Sequence, residues 1–181
     1  MQKYLLNGFE VFKILPITHD ILKKKIHEYY NFTDKEEENL SIMIDTLRLY
    51  EKASKIQALA LAAPQIGWEK RLFICADLNL KQRKKSKHIT KVDVFLNPEI
   101  IQKSNDLIQS EENCLSLPSN KTAFVMRSSK IVMKFYNLLG SEQFVEAEGL
   151  QAIIYQHEVD HLDGITVLQK ASSIIENDQE C

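Results

Sequence analysis

The amino-acid sequence predicts an α+β fold in which antiparallel β-sheets surround a central helix. Three observations favour this class. A long amphipathic helix comes first, several strands follow it, and a second helix comes late in the chain. Two of the strands are separated by a short turn, which is typical of antiparallel pairing. The late helix carries a broad apolar stripe, so we expect it to lie inside the molecule.

The first helix is predicted over residues 31–53, NFTDKEEENLSIMIDTLRLYEKA. Thr33 and Glu36 form a capping box at its start, and acidic residues fill its first turn. The apolar residues that follow recur at helical spacing: Leu40, Met43, Ile44, Leu47 and Tyr50. The next segment, LALAAPQIGW, is predicted to be irregular because it contains Pro64 and Gly67.

Two strands are predicted at 70–78 (KRLFICADL) and 92–101 (VDVFLNPEII). Cys75 in the first strand is expected to be a small buried core residue. Six Lys and Arg residues stand between Lys81 and Lys91, in the segment that connects the two strands. We interpret this basic segment as a solvated loop, and contact with an acidic partner such as rRNA is the alternative.

A hairpin and the central helix are predicted in the last third of the chain. The segments SKIVMKFYN and QFVEAEG are expected to pair as strands across the turn LLGSE. The helix is predicted over residues 148–163, and Gly164 is a suitable residue directly after its end. Residues 172–181 are polar and acidic, and we expect them to be frayed.

Composition and charge predict a single globular domain that covers residues 1–181. A net charge of −2 argues against a general nucleic-acid binder. No apolar run approaches the ~20 residues that span a bilayer, and the N-terminus resembles neither a signal peptide nor a transit peptide. Three widely spaced cysteines argue against a disulfide framework, so the sequence predicts a cytoplasmic protein without membrane attachment.

The segment YQHEVDHLDG carries a metal-binding pattern. An α-helix turns by about 100° per residue, so His157 and His161 lie one turn apart on the same face. Two neutral imidazoles that converge on one point can hold a divalent metal, and Glu158 can accept a proton from water at that metal. A helix with scattered polar residues is the alternative interpretation, which a third ligand would exclude.

Zinc proteases with this helix motif take the third ligand from a downstream His or Glu. Val167 occupies the position of that His, and too few residues follow to build and pack a helix that carries the Glu. Upstream, the segment EENCLSLP offers Cys114, whose thiolate binds divalent metals strongly and leaves one position open for water. Cys114 alone would be interpreted as a small buried residue, but together with the helix motif it is the candidate ligand.

The segments LALAAPQIG, EENCLSLP and QHEVDHLDG, in this order and at these separations, resemble the motifs of the peptide deformylase family. The resemblance runs from about residue 10 to about residue 172 and implies a peptide-deformylase-like fold. It implies an enzyme that removes the formyl group from N-formylmethionyl peptides of nascent chains and releases formate. A small endopeptidase is an alternative that rests on the helix motif alone.

The resemblance also implies a cofactor and the roles of single residues. The implied cofactor is one divalent metal ion, Fe²⁺ in cells, with Zn²⁺, Ni²⁺ or Co²⁺ able to occupy the same site. The implied metal ligands are Cys114, His157 and His161. Glu158 is the implied general base, and the Gln65 amide and the Leu115 backbone N–H are the implied donors to the formyl oxygen.

Further residues are candidates for binding substrate or for bracing the site. The candidates for the methionine pocket, chosen by their position beside the motifs, are Leu59, Leu150, Ile153 and Ile154. The alternative for each of these four residues is an ordinary position in the hydrophobic core. Glu112 and Arg127 are expected to pair behind the cysteine segment, where such a pair orients metal ligands more than it adds stability.

Two departures from the family pattern bear on substrate binding. Ala58 and Ala60 stand where the first motif has glycines, and Asn113 stands where a glycine precedes the cysteine. In the family, the backbone at positions 60 and 113 pairs with the extended substrate, so the methyl of Ala60 is expected to narrow the groove or shift the peptide. Asn113 is the milder change, because asparagine tolerates left-handed backbone.

These departures motivate an alternative function. The chain would then be a divergent paralogue that accepts a different N-acyl peptide, or one that binds peptides without deformylating them. The sequence also lacks a basic C-terminal helix like the one that some relatives use on the ribosome. Direct ribosome binding is therefore not predicted.

Overall fold

The computed structural model describes residues 1–29, 32–53, 59–77, 89 and 91–176. Its strands are β1 (Lys3–Leu6), β2 (Phe9–Phe12), β3 (Ala60–Ala62), β4 (Leu72–Ala76), β5 (Val92–Lys103), β6 (Leu107–Glu112), β7 (Lys121–Ser128), β8 (Lys130–Tyr136), β9 (Glu142–Glu148) and β10 (Ala171–Glu176). Its α-helices are α1 (Asp34–Ala53), α2 (Leu150–Leu162) and α3 (Val167–Lys170), and 3₁₀ helices cover Asp20–Lys23 and Ala63–Ile66. The predictions for Ala58 and for most of the basic segment, 81–88 and 90, fall outside the described residues.

The strands form three antiparallel sheets. Five strands pair in the order β3-β4-β5-β8-β9, three pair in the order β10-β7-β6, and β1 pairs with β2. Helix α2 packs against β3, β5 and β9 of the large sheet and against β7 of the three-stranded sheet, so it lies between the two. The predicted α+β fold with antiparallel sheets around a central helix is therefore confirmed.

Aromatic packing fixes α2 to the large sheet. The rings of Phe73 and Phe95 stack with their centroids 4.6 Å apart, and Tyr155 of α2 tilts against them at 5.6 and 4.9 Å. Pairs of this kind add to the free energy gained from apolar burial. The opposite face of the large sheet is covered by α1, whose Met43 and Leu47 are fully buried.

Most of the elements predicted in the middle of the chain are present. Helix α1 begins at Asp34. The backbone N–H of Thr33, the residue before it, donates to the Glu36 carboxylate over 2.6 Å. The predicted hairpin is formed by β8 and β9, and Cys75 is buried in β4. The central helix begins two residues later than predicted, because Glu148 is still paired with Lys130 in the sheet.

The prediction of a frayed tail from about residue 172 is wrong for residues 172–176. These residues continue strand β10, which pairs antiparallel with β7. The Ser172 hydroxyl donates to the Phe124 carbonyl oxygen, and Ile174 and Ile175 supply the β-branched side chains that favour a strand. The rest of the predicted tail, 177–181, lies outside the described residues.

The N-terminal hairpin of β1 and β2 was not predicted from the sequence. Asn7 and Gly8 connect these strands with φ angles of 52° and 84°. This is the Asn-Gly signature of a two-residue hairpin turn, so the signal was present in the sequence. Within the described residues, no helix is long and apolar enough to cross a membrane.

Gly164, directly after α2, touches the backbone that follows the first 3₁₀ helix. A Cβ at this position would lie 2.6 Å from the carbonyl carbon of Lys24, and the φ angle is +72°. We expect Gly164→Ala to lower the free energy of unfolding by about 2–4 kcal/mol, because it adds a clash to left-handed strain. Gly140→Ala is the control, since Gly140 has a φ of +73° but open space around it. Urea denaturation would contradict this account if both variants lost the same free energy.

Candidate metal centre and active site

Three potential metal ligands from two distant segments meet between the sheets. Cys114 follows the end of β6, and His157 and His161 lie one turn apart on α2. One ligand atom of each residue lies within 4.8 Å of the others. The Cys114 Sγ is 3.2 Å from the Nε2 of His161, and the two imidazole rings meet edge to face at 4.9 Å. The structure thus brings together all three of the predicted ligands.

The charges around Cys114 favour its metal-binding form. Burial raises the pKa of the thiol, but the His161 and His157 imidazoles outweigh it, and the net pKa lies well below the usual range. The thiolate is the form that binds a metal. A buried set of one sulfur and two imidazole nitrogens fits Fe²⁺, Ni²⁺, Co²⁺ and Zn²⁺, so the described residues can hold the metal ion that the fold implies.

Glu112 orients the imidazole ring of His157. Its carboxylate accepts a hydrogen bond from the His157 Nδ1 over 2.7 Å, which leaves Nε2 free for a metal. Burial raises the pKa of Glu112, but hydrogen bonds from Arg127 and His157 outweigh burial and lower the net pKa. The Glu112 carboxylate also accepts from the Ser110 hydroxyl at 2.7 Å.

A chain of buried ion pairs extends from Glu112 towards the surface. Arg127 donates to both oxygens of Glu112, at 2.7 and 2.8 Å, so the predicted pairing of these residues is present. Arg127 also contacts Asp160 on α2, and the Lys170 ammonium donates to the second oxygen of Asp160 at 2.6 Å. One guanidinium therefore ties helix α2, which carries both histidines, to the end of β6, directly before the Cys114 segment.

Glu158 directly follows the predicted ligand His157 on α2. Its side chain is buried, and among the described residues its Oε2 has no hydrogen-bond partner. Burial raises the pKa of Glu158 to about 7. A carboxyl group with a pKa near neutrality can both accept and donate a proton at the working pH.

Gln65 is held at the edge of the ligand cluster by its own backbone segment. Its Oε1 accepts from the Ala62 N–H at 2.8 Å, which turns its amide nitrogen towards the centre. That nitrogen lies 3.4 Å from the Cys114 Sγ and 3.3 Å from the Ser116 Oγ. Leu115, the other predicted donor to the formyl oxygen, directly follows the cysteine.

A cleft of about 230 Å³ opens onto this centre. It is lined by all six of the predicted substrate-binding residues, which are Leu59, Ala60, Asn113, Leu150, Ile153 and Ile154. Gln65, Leu115 and Glu158 line it as well. Apolar side chains and two of the predicted metal ligands, Cys114 and His157, line the same cleft, so the cleft can hold an apolar group beside a metal.

Among the described strands, β3 and β6 each have one edge without a partner strand, and residues of both strands line the cleft. Strand β3 is the edge of the large sheet, and β6 is the edge of the three-stranded sheet. The Ala76 N–H donates to the Leu59 carbonyl, so the alternation of an antiparallel ladder turns the N–H and C=O of Ala60 to the free side. The Ala60 methyl packs against the apolar core between α2 and the large sheet.

Asn113 does not use the left-handed tolerance that the sequence analysis invoked. Among described non-glycine residues, positive φ angles occur at Asn7 and Asn97 only. The Asn113 side chain instead accepts a hydrogen bond from the Thr122 hydroxyl at 3.1 Å. A glycine at position 113 could not make this contact.

A family model that describes polypeptide deformylases matches residues 11–177. The chain belongs to the peptide deformylase family. Peptide deformylase from Natranaerobius thermophilus is 35% identical over 159 residues, which are 88% of this chain and 91% of that relative. The predicted family and enzyme class are thereby confirmed.

Solved peptide deformylases have the same fold. The crystal structure from Thermotoga maritima matches with a TM-score of 0.75 at 28% identity and covers 90% of this chain and 99% of that chain. A class I type b peptide deformylase from Acinetobacter baumannii, solved with Met-Ala-Ser bound, matches with a TM-score of 0.73 at 28% identity. This match covers 88% of this chain and 98% of that chain.

Four residues of this deformylase site were missed by the sequence analysis: Ser110, Ser116, Asp160 and Lys170. Asp160 carried the clearest signal, because it is an acidic residue between the two histidines of a largely buried helix. Such a residue requires a buried cation. Nothing in the sequence indicated that Arg127 and Lys170 would both pair with Asp160.

Proposed function

We propose that this chain removes the formyl group from N-formylmethionyl peptides, with Cys114, His157 and His161 holding one divalent metal ion. The observation that carries the proposal is the buried Cys-His-His cluster next to the unpartnered Glu158 carboxylate. We propose Fe²⁺ as the ion in cells, while Zn²⁺, Ni²⁺ and Co²⁺ suit the same ligands. When bound, such an ion lowers the pKa of a coordinated water and polarises a carbonyl group.

Glu158 moves the proton in this reaction. Its Oε2 accepts a proton from the attacking water, whose oxygen bonds to the formyl carbon. The same carboxyl group then gives the proton to the methionine nitrogen as the amide bond breaks. The second proton of the water stays on the formic acid, which ionises to formate and protonates the free amino terminus, so atoms and charges balance.

Gln65 and Leu115 stabilise the oxygen of the formyl group as it gains negative charge. The Gln65 amide nitrogen is already fixed at the edge of the cluster, so little reorganisation is needed during the reaction. The Leu115 backbone N–H is the second donor. Losing one such donor typically costs about 3–4 kcal/mol in the transition state.

The cleft holds the methionine and the backbone of the peptide. Leu59, Leu150, Ile153 and Ile154 supply the apolar surface for the methionine side chain. The backbone N–H and C=O of Ala60, which face away from β4, and the backbone of Asn113 pair with an extended peptide, as an added strand would. The Acinetobacter baumannii relative has Met-Ala-Ser bound, which supports a peptide of this class. Nascent chains are the natural source of such peptides, which supports a cytoplasmic location and requires no ribosome docking.

Formate release from formyl-Met-Ala-Ser tests this function directly. The purified protein is loaded anaerobically with Fe²⁺ or Ni²⁺, and its metal content is measured before the assay. We expect sustained turnover that a chelator abolishes. Full metal occupancy without formate release would contradict the proposal.

Ala60 and Asn113 bear on the alternative of a divergent paralogue with another N-acyl specificity. We expect Ala60→Gly and Asn113→Gly each to change kcat/KM for formyl-Met-Ala-Ser by less than about threefold, or ~0.6 kcal/mol. The Ala60 methyl packs against the apolar core although Ala60 lines the cleft, and the Asn113 backbone does not need glycine. A tenfold or larger rise in turnover would show that these residues specialise the enzyme for another substrate.

A further inference from the structure

The buried side chain of Arg71, directly before β4, contacts the C-terminal end of α2. A helix leaves its last carbonyl oxygens without partners inside the helix. Here the Leu162 carbonyl oxygen accepts from the Arg71 Nη1 at 3.3 Å and from the Ile26 N–H at 2.8 Å. The same Nη1 donates to the Asp163 carboxylate at 2.8 Å. A guanidinium at this position also faces the negative end of the helix dipole, so Arg71 caps α2.

Arg71 also joins this helix end to two other segments. Its Nη1 donates to the Ile26 carbonyl oxygen at 3.1 Å, and its Nη2 donates to the Pro98 carbonyl oxygen on β5 at 3.0 Å. The backbone of Arg71 is fixed as well, because its carbonyl oxygen accepts from the Asn97 N–H at 2.7 Å. A planar guanidinium holds several acceptors in set directions, whereas the compact ammonium of a lysine does not. The end of α2 is therefore fixed by a side chain that is itself held by β5.

His161 lies one residue before Leu162, and its ring is held differently from that of His157. The Nδ1 of His157 donates to Glu112, which fixes the orientation of that ring. His161 is 1% exposed, and its Nδ1 has no hydrogen-bond partner among the described residues. A metal-binding histidine usually donates its second ring nitrogen to a carboxylate or a carbonyl, which keeps the ring in place. Because the described part of the chain makes no such contact, the place of the His161 ring depends on the position of the helix backbone.

We propose that Arg71 is a positioning residue for His161, because it fixes the end of α2 so that the His161 Nε2 reaches the metal. This inference rests on the metal centre of the proposed function. Arg127 acts on His157 through the Glu112 carboxylate, whereas Arg71 acts on His161 through the helix backbone. Arg71 is not among the described residues that line the cleft, so it holds a ligand in place without touching the substrate.

Arg71→Lys tests the proposal, because it keeps a positive charge beside Asp163 but removes the planar fork. We expect the affinity for Zn²⁺, measured by competition with a chelator, to fall about tenfold or more. In NMR spectra of the Zn²⁺-loaded protein with ¹⁵N-labelled histidine, we expect the ring nitrogen signals of His161 to shift and those of His157 to stay in place. Asp163→Asn weakens one contact of the same guanidinium at a side chain that is 32% exposed, so it should move the His161 signals in the same direction by less.

Leu47→Ala is the control for a general loss of stability. Leu47 of α1 is fully buried, in a different apolar cluster from the one that packs α2 against the large sheet. This variant should lower the urea midpoint while the Zn²⁺ affinity and the His161 signals stay unchanged. The proposal would be overturned by unchanged Zn²⁺ affinity in Arg71→Lys, by unchanged His161 signals in both Arg71→Lys and Asp163→Asn, or by an equal loss of affinity in Leu47→Ala. These measurements use no substrate, so a failure of formate release by the metal-loaded protein would count against the proposed function alone.

Discussion

Replacing Glu158 with glutamine is expected to lower kcat by about 10²–10⁴-fold, because the variant has no group to accept and return the proton. Glutamine has the same shape but does not titrate. The metal ligands are unchanged, so we expect one bound ion per chain as in the unaltered protein. Formate release and metal content are measured on the same samples.

Urea denaturation of Glu158→Gln is the control that shows whether the variant is folded. Glu158 is buried with an unpartnered oxygen, so a neutral side chain removes a cost of burying charge. Glu158→Gln should therefore unfold at the same or a higher urea concentration. Near-full activity with full metal occupancy would remove Glu158 from the mechanism, while loss of the metal would indicate a structural role.

Replacing Arg127 with methionine is expected to lower the free energy of unfolding by about 3–5 kcal/mol. The change leaves the Glu112 and Asp160 carboxylates in the interior without their shared guanidinium. Because Glu112 holds the Nδ1 of His157, we also expect metal affinity to fall by about 10–100-fold. Urea denaturation and competition with a chelator measure the two effects.

Arg48→Met is the matched control for this prediction. Arg48 pairs with Asp45 over 3.3 Å on the surface of α1, and both side chains are about two-fifths exposed. An exposed pair of this kind contributes about 0–1 kcal/mol, so its removal should barely change stability and should leave metal affinity intact. Equal losses in the two variants would mean that the buried chain of ion pairs does not brace the site.

The two histidines and Glu158 were predictable because the helix that carries them has its own local signal. The His-Glu-x-x-His spacing places two imidazoles on one helix face whatever surrounds the helix. Cys114 lacked such a signal and was selected only because the helix motif required a third ligand. The pairing of Glu112 with Arg127 was expected as a brace behind the cysteine segment, where such a pair orients metal ligands.

The structural features that were not predicted from the sequence depend on contacts between distant segments. Residues 172–176 look polar and frayed alone, but the free edge of β7 supplies backbone partners for a strand there. Lys170 belongs to the site only because α3 carries it back to Asp160 on α2. Asn7 and Gly8 are the exception, because their turn signal was local and was overlooked.

X-ray absorption on the Zn²⁺-loaded protein tests the metal site most directly. We expect one sulfur at ~2.3 Å and two imidazole nitrogens at ~2.0–2.1 Å from the ion. The sulfur should be absent in Cys114→Ser, together with most of the bound zinc. A coordination shell without sulfur in the unaltered protein, or an unchanged shell in Cys114→Ser, would contradict the account.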